Sequence, residues 1–252
     1  MYICAFITST ILHELGHAMA GLIFNSSPVL HHNYVHHLTS GSLSANQQII
    51  IALAGPLTSL LLGFAAGWIF LRINKFNLQT LFLLWFCIFG LNNFLGYVMT
   101  APLFSEGDIS KIYQLTDASL TMQLIAAVFS AGFLLLIAYH LTTLFLSFSY
   151  KRGWVESASA RKEFSFKILM LPWILGSVVL TILYLPIVAF ISIIYPVMSG
   201  FIFIFPWQNA TRIENVSLSK DNKIGNISFS SVIVMVILIL VFKFILAPGI
   251  EL

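Results

Sequence analysis

Thirty-nine consecutive residues, from Ile168 to Pro206, pass without one charged side chain. A hydrocarbon core of about 30 Å is crossed by about 20 apolar helical residues, and the segment is long enough for that once or twice over. Five more apolar runs are near or above that length: residues 1–24, 47–71, 80–104, 120–148 and 231–248. Across the chain 59% of residues are hydrophobic and only 8% charged, with a mean hydropathy of +0.95. The polar residues are too few to coat a water-soluble globule. The expected fold class is therefore all-α, a polytopic membrane helical bundle of about six transmembrane helices. Pro186, Pro196 and Gly200 in the 39-residue run would allow a seventh span by breaking it in two.

Charge bears on topology and not on partners. The net charge of +3 is scattered over short loops, with no basic run suited to nucleic acid. Crossing the membrane at each span puts Arg72, Lys75, Lys151, Arg152, Arg161, Lys162 and Lys167 on one side, and Lys111 alone on the other, within the first four connections. The positive-inside rule makes the first side cytoplasmic, and the start of the chain with it. The expected location is a bacterial cytoplasmic membrane, crossed several times. Cys4 and Cys87 lie in apolar runs and form no disulfide framework. The first run lacks the basic flank of a signal peptide. Polar segments are too short for a soluble domain. Sequons at Asn209, Asn215 and Asn226 read as chance matches in an Asn- and Ser-rich stretch.

The first run, MYICAFITSTILHELGHAMAGLIF, holds His13, Glu14 and His17 at its middle. A carboxylate at the centre of a span costs about 2.5–3.5 kcal/mol on insertion scales, so something must offset the trio. On a helix His13 and His17 project from one face, one turn apart, and both rings reach one ion. Glu14 lies about 100° around from His13, near enough to touch a water there without being a ligand. His-Glu-x-x-His on a helix is a zinc metalloprotease signature. A zinc site of this type needs three protein ligands and an open position, where the metal acidifies water and polarises a carbonyl while a carboxylate moves the proton. The motif supplies two ligands and the base.

Candidates for the third ligand are Asp108, Glu106, His140 and the loop histidines His31, His32, His36 and His37. Asp108 is preferred, because Pro102 can break the third helix and Gly107 relaxes the backbone where the carboxylate must turn inward. Gly16 and Ala20, with Ala54 and Gly55 at the start of the second span, allow close helix packing, and Pro56 opens the backbone near the site. Asn92 and Asn93, in mid-span, need partners: an interhelical hydrogen bond, or a substrate backbone or oxyanion.

These features, HELGHAMAGLIF in the first span, ALAGPLTSLLLG opening the second and a carboxylate after the third, resemble the intramembrane zinc metalloproteases of the site-2 protease family over residues 1 to about 115. The resemblance implies that His13, His17 and Asp108 bind one Zn2+ per chain. It also implies that Glu14 is catalytic and that the substrate is a transmembrane protein or peptide in the lipid bilayer. The chain then divides into a three-helix metalloprotease core, 1–115, and a C-terminal transmembrane region, 116–252. The family's Asp-Gly order is reversed here to Gly107-Asp108, and Asn92 and Asn93 stand about ten residues before Pro102.

Two other classes fit parts of the pattern. HELGH and HNYVHH resemble the first two histidine boxes of membrane di-iron desaturases and hydroxylases, but the third box is missing and Glu14 would have no role. A non-enzymatic metal-binding or transport protein would use the loop histidines to collect a divalent cation. The loop itself reads as a short β-hairpin turning at Ser40-Gly41-Ser42, with its histidines solvated. His140 reads as a hydrogen-bonded interior histidine, and Lys243 as snorkelling to the interface.

Overall fold

A computed structural model describes residues 1–73, 75–185, 191–214, 216 and 229–252. Helix α1 (Tyr2–Ile23) is followed by strands β1 (Pro28–Leu30) and β2 (Val35–His37), then by helices α2 (Ala45–Arg72), α3 (Leu78–Thr100), α4 (Asp108–Leu115) and α5 (Leu120–Leu146). After these come α6 (Ala158–Leu183), α7 (Ile191–Met198), α8 (Phe201–Asn209), α9 (Phe229–Leu246) and strand β3 (Ile250–Glu251). The expected helical bundle with a small hairpin is what the chain forms.

Among the described residues five helices, α2, α3, α5, α6 and α9, are long and apolar enough to cross a membrane. The sequence count of six differs at both ends of the argument. Helix α1 has 22 residues, but Ser9, Thr10, His13, Glu14 and His17 dilute its apolar content. All five of those polar residues are buried, and α1 sits inside the bundle against α2, α3, α6 and α9. The long uncharged run divides: α6 ends at Leu183, and α7 and α8, of 8 and 9 residues, are separated at Ser199-Gly200. Pro186 lies outside the described residues, as do the sequons at Asn215 and Asn226. Asn209 is buried, its amide donating to Thr142 Oγ1 at 3.3 Å, so its side chain is not open to modification.

Local chemistry sets the helix starts. Ser44 and Gln47 form a capping box at α2, and Asn77 and Thr80 form one at α3. Between α2 and α3 the backbones touch: a Cβ at Gly90 would fall on the Ser59 carbonyl oxygen and on Gly63 Cα. Around this contact the interior is aromatic. Tyr2 and Phe6 meet Phe89 edge-on at 5.0 and 5.1 Å, and Trp85 meets Phe203 edge-on at 5.1 Å. Outward faces carry Leu61, Phe64 and Trp68 on α2 and Val128, Phe129 and Phe133 on α5. In water these exposed apolar faces would be a liability; in lipid they are the solvent-matched surface.

The sheet runs β2-β1-β3, all antiparallel, with Val29 opposite both His36 and Glu251. The hairpin turns at His31–Tyr34, where the His31 N–H donates to the Tyr34 carbonyl at 2.9 Å. The turn expected at Ser40-Gly41-Ser42 is instead a short 3-10 segment leading into α2. Local polarity does not choose between the two bends; the β1–β2 register, Leu30 opposite Val35, places the turn at the first.

Replacing Gly90 by valine drives side-chain atoms into the α2 backbone. Overpacking of this kind costs about 1–3 kcal/mol. The variant should therefore melt several degrees lower in detergent, and an unshifted melting temperature would show that the two helices can part without loss.

Candidate metal centre

Three side chains from two distant parts of the sequence meet at one point. His13 Nε2 and His17 Nε2 lie 3.1 Å apart, and Asp108 Oδ2 is 3.1 Å from the first and 3.3 Å from the second. The three atoms thus form a nearly equilateral triangle. Zinc bonded tetrahedrally at its usual 2.0–2.1 Å sets its ligand atoms about 3.3–3.4 Å apart. The donor set therefore fits one face of a tetrahedral zinc site, and two imidazoles with one carboxylate are ligands that zinc accepts. Among the described residues this is the one group of three or more such side chains able to hold a metal.

The rings are held by their other nitrogens. His17 Nδ1 is 2.6 Å from the Ile51 carbonyl oxygen. A carbonyl only accepts, so Nδ1 carries a proton and donates it, which leaves Nε2 as the ring nitrogen facing the triangle. The Ile51 carbonyl is in α2 just ahead of Pro56, which has no N–H to give to Ala52 and loosens the helix there. His13 Nδ1 pairs with Ser59 Oγ at 3.1 Å. Ser59 is one helical turn beyond Gly55, so the same face of α2 serves both histidines.

Gly55 has a specific duty. A Cβ there would overlap the His17 ring at Nε2, the atom that faces the triangle. Gly16 has a different one, since a Cβ there would press on the Ala54 carbonyl and Thr58. Small residues thus bring α1 against α2, and one of them also leaves room for a ligand.

Asp108 arrives by a break in the chain after α3. Thr100 ends α3, and Gly107 takes φ +107°, a left-handed value that glycine adopts at little cost. Asp108 then opens α4 as its first residue. Burial alone would raise the Asp108 carboxyl. The adjacent His17 ring, with hydrogen bonds from both histidines, outweighs burial and holds it well below the usual carboxylate range.

Glu14 is buried and borders the same cavity, of about 210 Å³, as do Tyr97, Lys111 and the hairpin residues Tyr34, Val35 and His37. The Tyr97 ring lies 5.8 Å from the His13 ring and packs against Gly107. Sequence reasoning did not single out Ser59, the Ile51 carbonyl or Tyr97. Of these only Ser59 carried a signal, the turn-spaced pairing with Gly55.

The other candidates go elsewhere. Asn92 and Asn93 are buried on α3 but do not line the metal cavity. Asn93 Oδ1 has no hydrogen-bond partner among the described residues. Glu106 is exposed. The loop histidines are not uniformly solvated as expected. His32 is 4% exposed, enclosed by Phe242 and Tyr184, and burial lowers its pKa to about 4. His31 stacks on Tyr34 and pairs with the Ala247 carbonyl at 3.2 Å. His37 is tied to Ser26 Oγ at 2.7 Å and its pKa also falls to about 4, burial again leading. Only His36 is exposed. His140 is likewise not interior: it lies exposed on α5, its ring edge-on to Tyr139. Lys243 donates to the Leu183 and Leu185 carbonyls at the end of α6.

Comparison with known protein families, with curated proteins and with solved structures finds no match.

Two outcomes follow for zinc titrated into the purified chain. Ser59→Ala, which removes the partner of His13, should weaken binding by about 10–100-fold, and Gly55→Ala, which displaces His17, should abolish it. Wild-type binding in Gly55→Ala would mean that His17 is not a ligand. Asp108 keeps its charge, and what that charge contributes, at every pH above its ordinary value of about 3.9, and loses them only as the pH falls further. Because a metal displaces protons from its ligands, zinc affinity should fall as the pH is lowered while Asp108 is still charged; an affinity that does not change with pH would indicate that neither imidazole is a ligand.

Proposed function

We propose that the chain is an intramembrane zinc metallopeptidase, cutting a peptide bond of a membrane-embedded protein or peptide. The observation that carries this reading is the triangle of His13 Nε2, His17 Nε2 and Asp108 Oδ2, at 3.1–3.3 Å, with Glu14 on the wall of the same cavity. It is the donor set implied by the resemblance to site-2 proteases, and it lies inside a bundle whose outer faces suit lipid. In this reading the protein is a multi-pass component of a bacterial cytoplasmic membrane.

His13, His17 and Asp108 would hold one zinc ion, which when bound supplies Lewis acidity toward a carbonyl and toward water. Glu14 takes the proton from the attacking water and delivers it to the leaving amine, the two halves of general base and general acid work. Ser59 and the Ile51 carbonyl fix the ring orientations, so the ligand atoms need not reorganise. Strand β2 is an edge of the sheet on the cavity side, where Val35 and His37 line the wall. An unwound substrate segment can add to that edge by main-chain hydrogen bonds. Loop histidines in a di-iron enzyme would have to gather with His13 and His17; His31 and His32 are instead held against α9 and its tail.

The test is Glu14→Gln, compared with wild type in proteoliposomes carrying single-span membrane proteins from the same membrane, with products read by mass spectrometry. The variant should hold one zinc per chain and lose cleavage by at least about 10²-fold, the lower end of what a positioned general base contributes. Equal cleavage by both proteins, or purified wild type without affinity for zinc, would overturn the reading.

A further inference from the structure

A second cavity shares a wall with the metal cavity. It measures about 160 Å³ and lies between α3 and the α7–α8 segment, lined by Gly96, Tyr97, Phe104, Tyr195, Met198 and Phe201. Tyr97 belongs to both spaces. Its ring is 5.8 Å from that of His13 and 6.2 Å from that of Tyr195, nearly parallel to the latter at 10°. The second cavity thus borders the residue that flanks a proposed metal ligand.

Size and lining say what it would take. An apolar cavity of about 150 Å³ stays dry and accepts a benzene ring. This one is mostly aromatic and methionine-lined, with Asn92, Thr100 and Ser199 as its polar side chains, and methionine adapts its shape to an apolar guest. The space opens outward where Met198 and Phe201 are exposed, so a guest can enter it, and its being left unfilled beside the metal cavity needs a reason.

Gly96 gives the reason. Glycine inside a helix costs roughly 1 kcal/mol relative to alanine, and the other glycines of α1–α3 near the site are there because a Cβ would collide with something. Gly90 faces the Ser59 carbonyl, Gly55 faces His17, and Gly16 faces the Ala54 carbonyl. Gly96 faces nothing closer than the Asn92 amide, at an ordinary van der Waals distance of 3.7 Å. Neither helix packing nor backbone conformation asks for glycine there, since Gly96 lies inside α3 and its φ is not left-handed. What the missing side chain preserves is the volume of the cavity.

We propose that this cavity is a substrate subsite that takes a large apolar side chain, aromatic or branched aliphatic, of a residue flanking the cleaved bond. The assignment rests on the peptidase reading above. Tyr97 forms the partition, so a side chain seated behind it brings its own backbone to the edge of the metal cavity. Selection for a bulky apolar residue also suits a substrate drawn from lipid, where such side chains predominate.

The experiment uses the zinc-loaded chain in detergent and a set of short peptide hydroxamates that differ in one side chain, Phe, Leu or Ala, with affinity measured by calorimetry. Binding needs no turnover, so it is independent of finding a natural substrate. In wild type the Phe or Leu compound should bind at least about tenfold tighter than the Ala compound, the discrimination that an apolar pocket gives for even one methylene. Gly96→Leu, which fills the cavity from α3, should bring that ratio to about one. Met198→Trp, entering from the α7 side, is a second plug in case the first disturbs α3, and zinc content reports whether either variant keeps its fold. A flat side-chain preference in wild type, or a preference that survives both plugs, overturns the subsite while leaving the metal reading intact. Zinc-loaded chain that binds none of the compounds also overturns it. A chain without affinity for zinc overturns the metallopeptidase reading and the subsite together.

Discussion

Two imidazoles and two carboxylates are enclosed in an apolar bundle, and the architecture follows from the need to hold them there. Taken singly, each would be costly to bury. Together, His13, His17 and Asp108 converge to within 3.1–3.3 Å of one another, so that each is a partner for the others and the three could hold one metal ion. Helix α1 therefore goes to the inside of the bundle, against four of the five more apolar helices, α2, α3, α6 and α9. Its polar stripe has to be surrounded, and the helices best able to face lipid do the surrounding.

Close approach is the means. Gly16 lets α1 lie on the α2 backbone, and Gly63 with Gly90 lets α2 lie on α3. With helix axes drawn in this far, short side chains such as Ser59 and a bare carbonyl at Ile51 can reach the histidines. Packing and ligand orientation are here one design, so a substitution chosen to test either will disturb both unless it is as small as a hydroxyl.

What could be read from the sequence was whatever had a local signature. The His-Glu-x-x-His spacing is helical geometry written in residue order, and the proline and glycine around Asp108 marked a place where backbone could turn inward. Apolar runs gave most of the helices directly. Reading failed where the determinant lay far off in the chain. His32 was taken for a solvated loop residue because the elements that bury it, Tyr184 and Phe242, are more than 150 residues away. His140 was taken for an interior residue because isolation in an apolar run says nothing about which way a helix face points, and α5 turns that face outward. Gly96 was invisible for a different reason: a glycine required by a neighbour and a glycine that keeps a space open look identical until the neighbours are known.

The small sheet has a consequence for how the molecule is made. Strand β1 pairs with β3, formed by Ile250 and Glu251, more than 200 residues further along the chain. His31 is likewise fastened to the Ala247 carbonyl and the Leu252 N–H to the Pro28 carbonyl. Contacts of such sequence separation form late, because the loop they close is long. The hairpin that walls the cavity is therefore secured only once α9 and the residues after it have docked, so the cover over the buried histidines and glutamate depends on a segment more than 200 residues away from it.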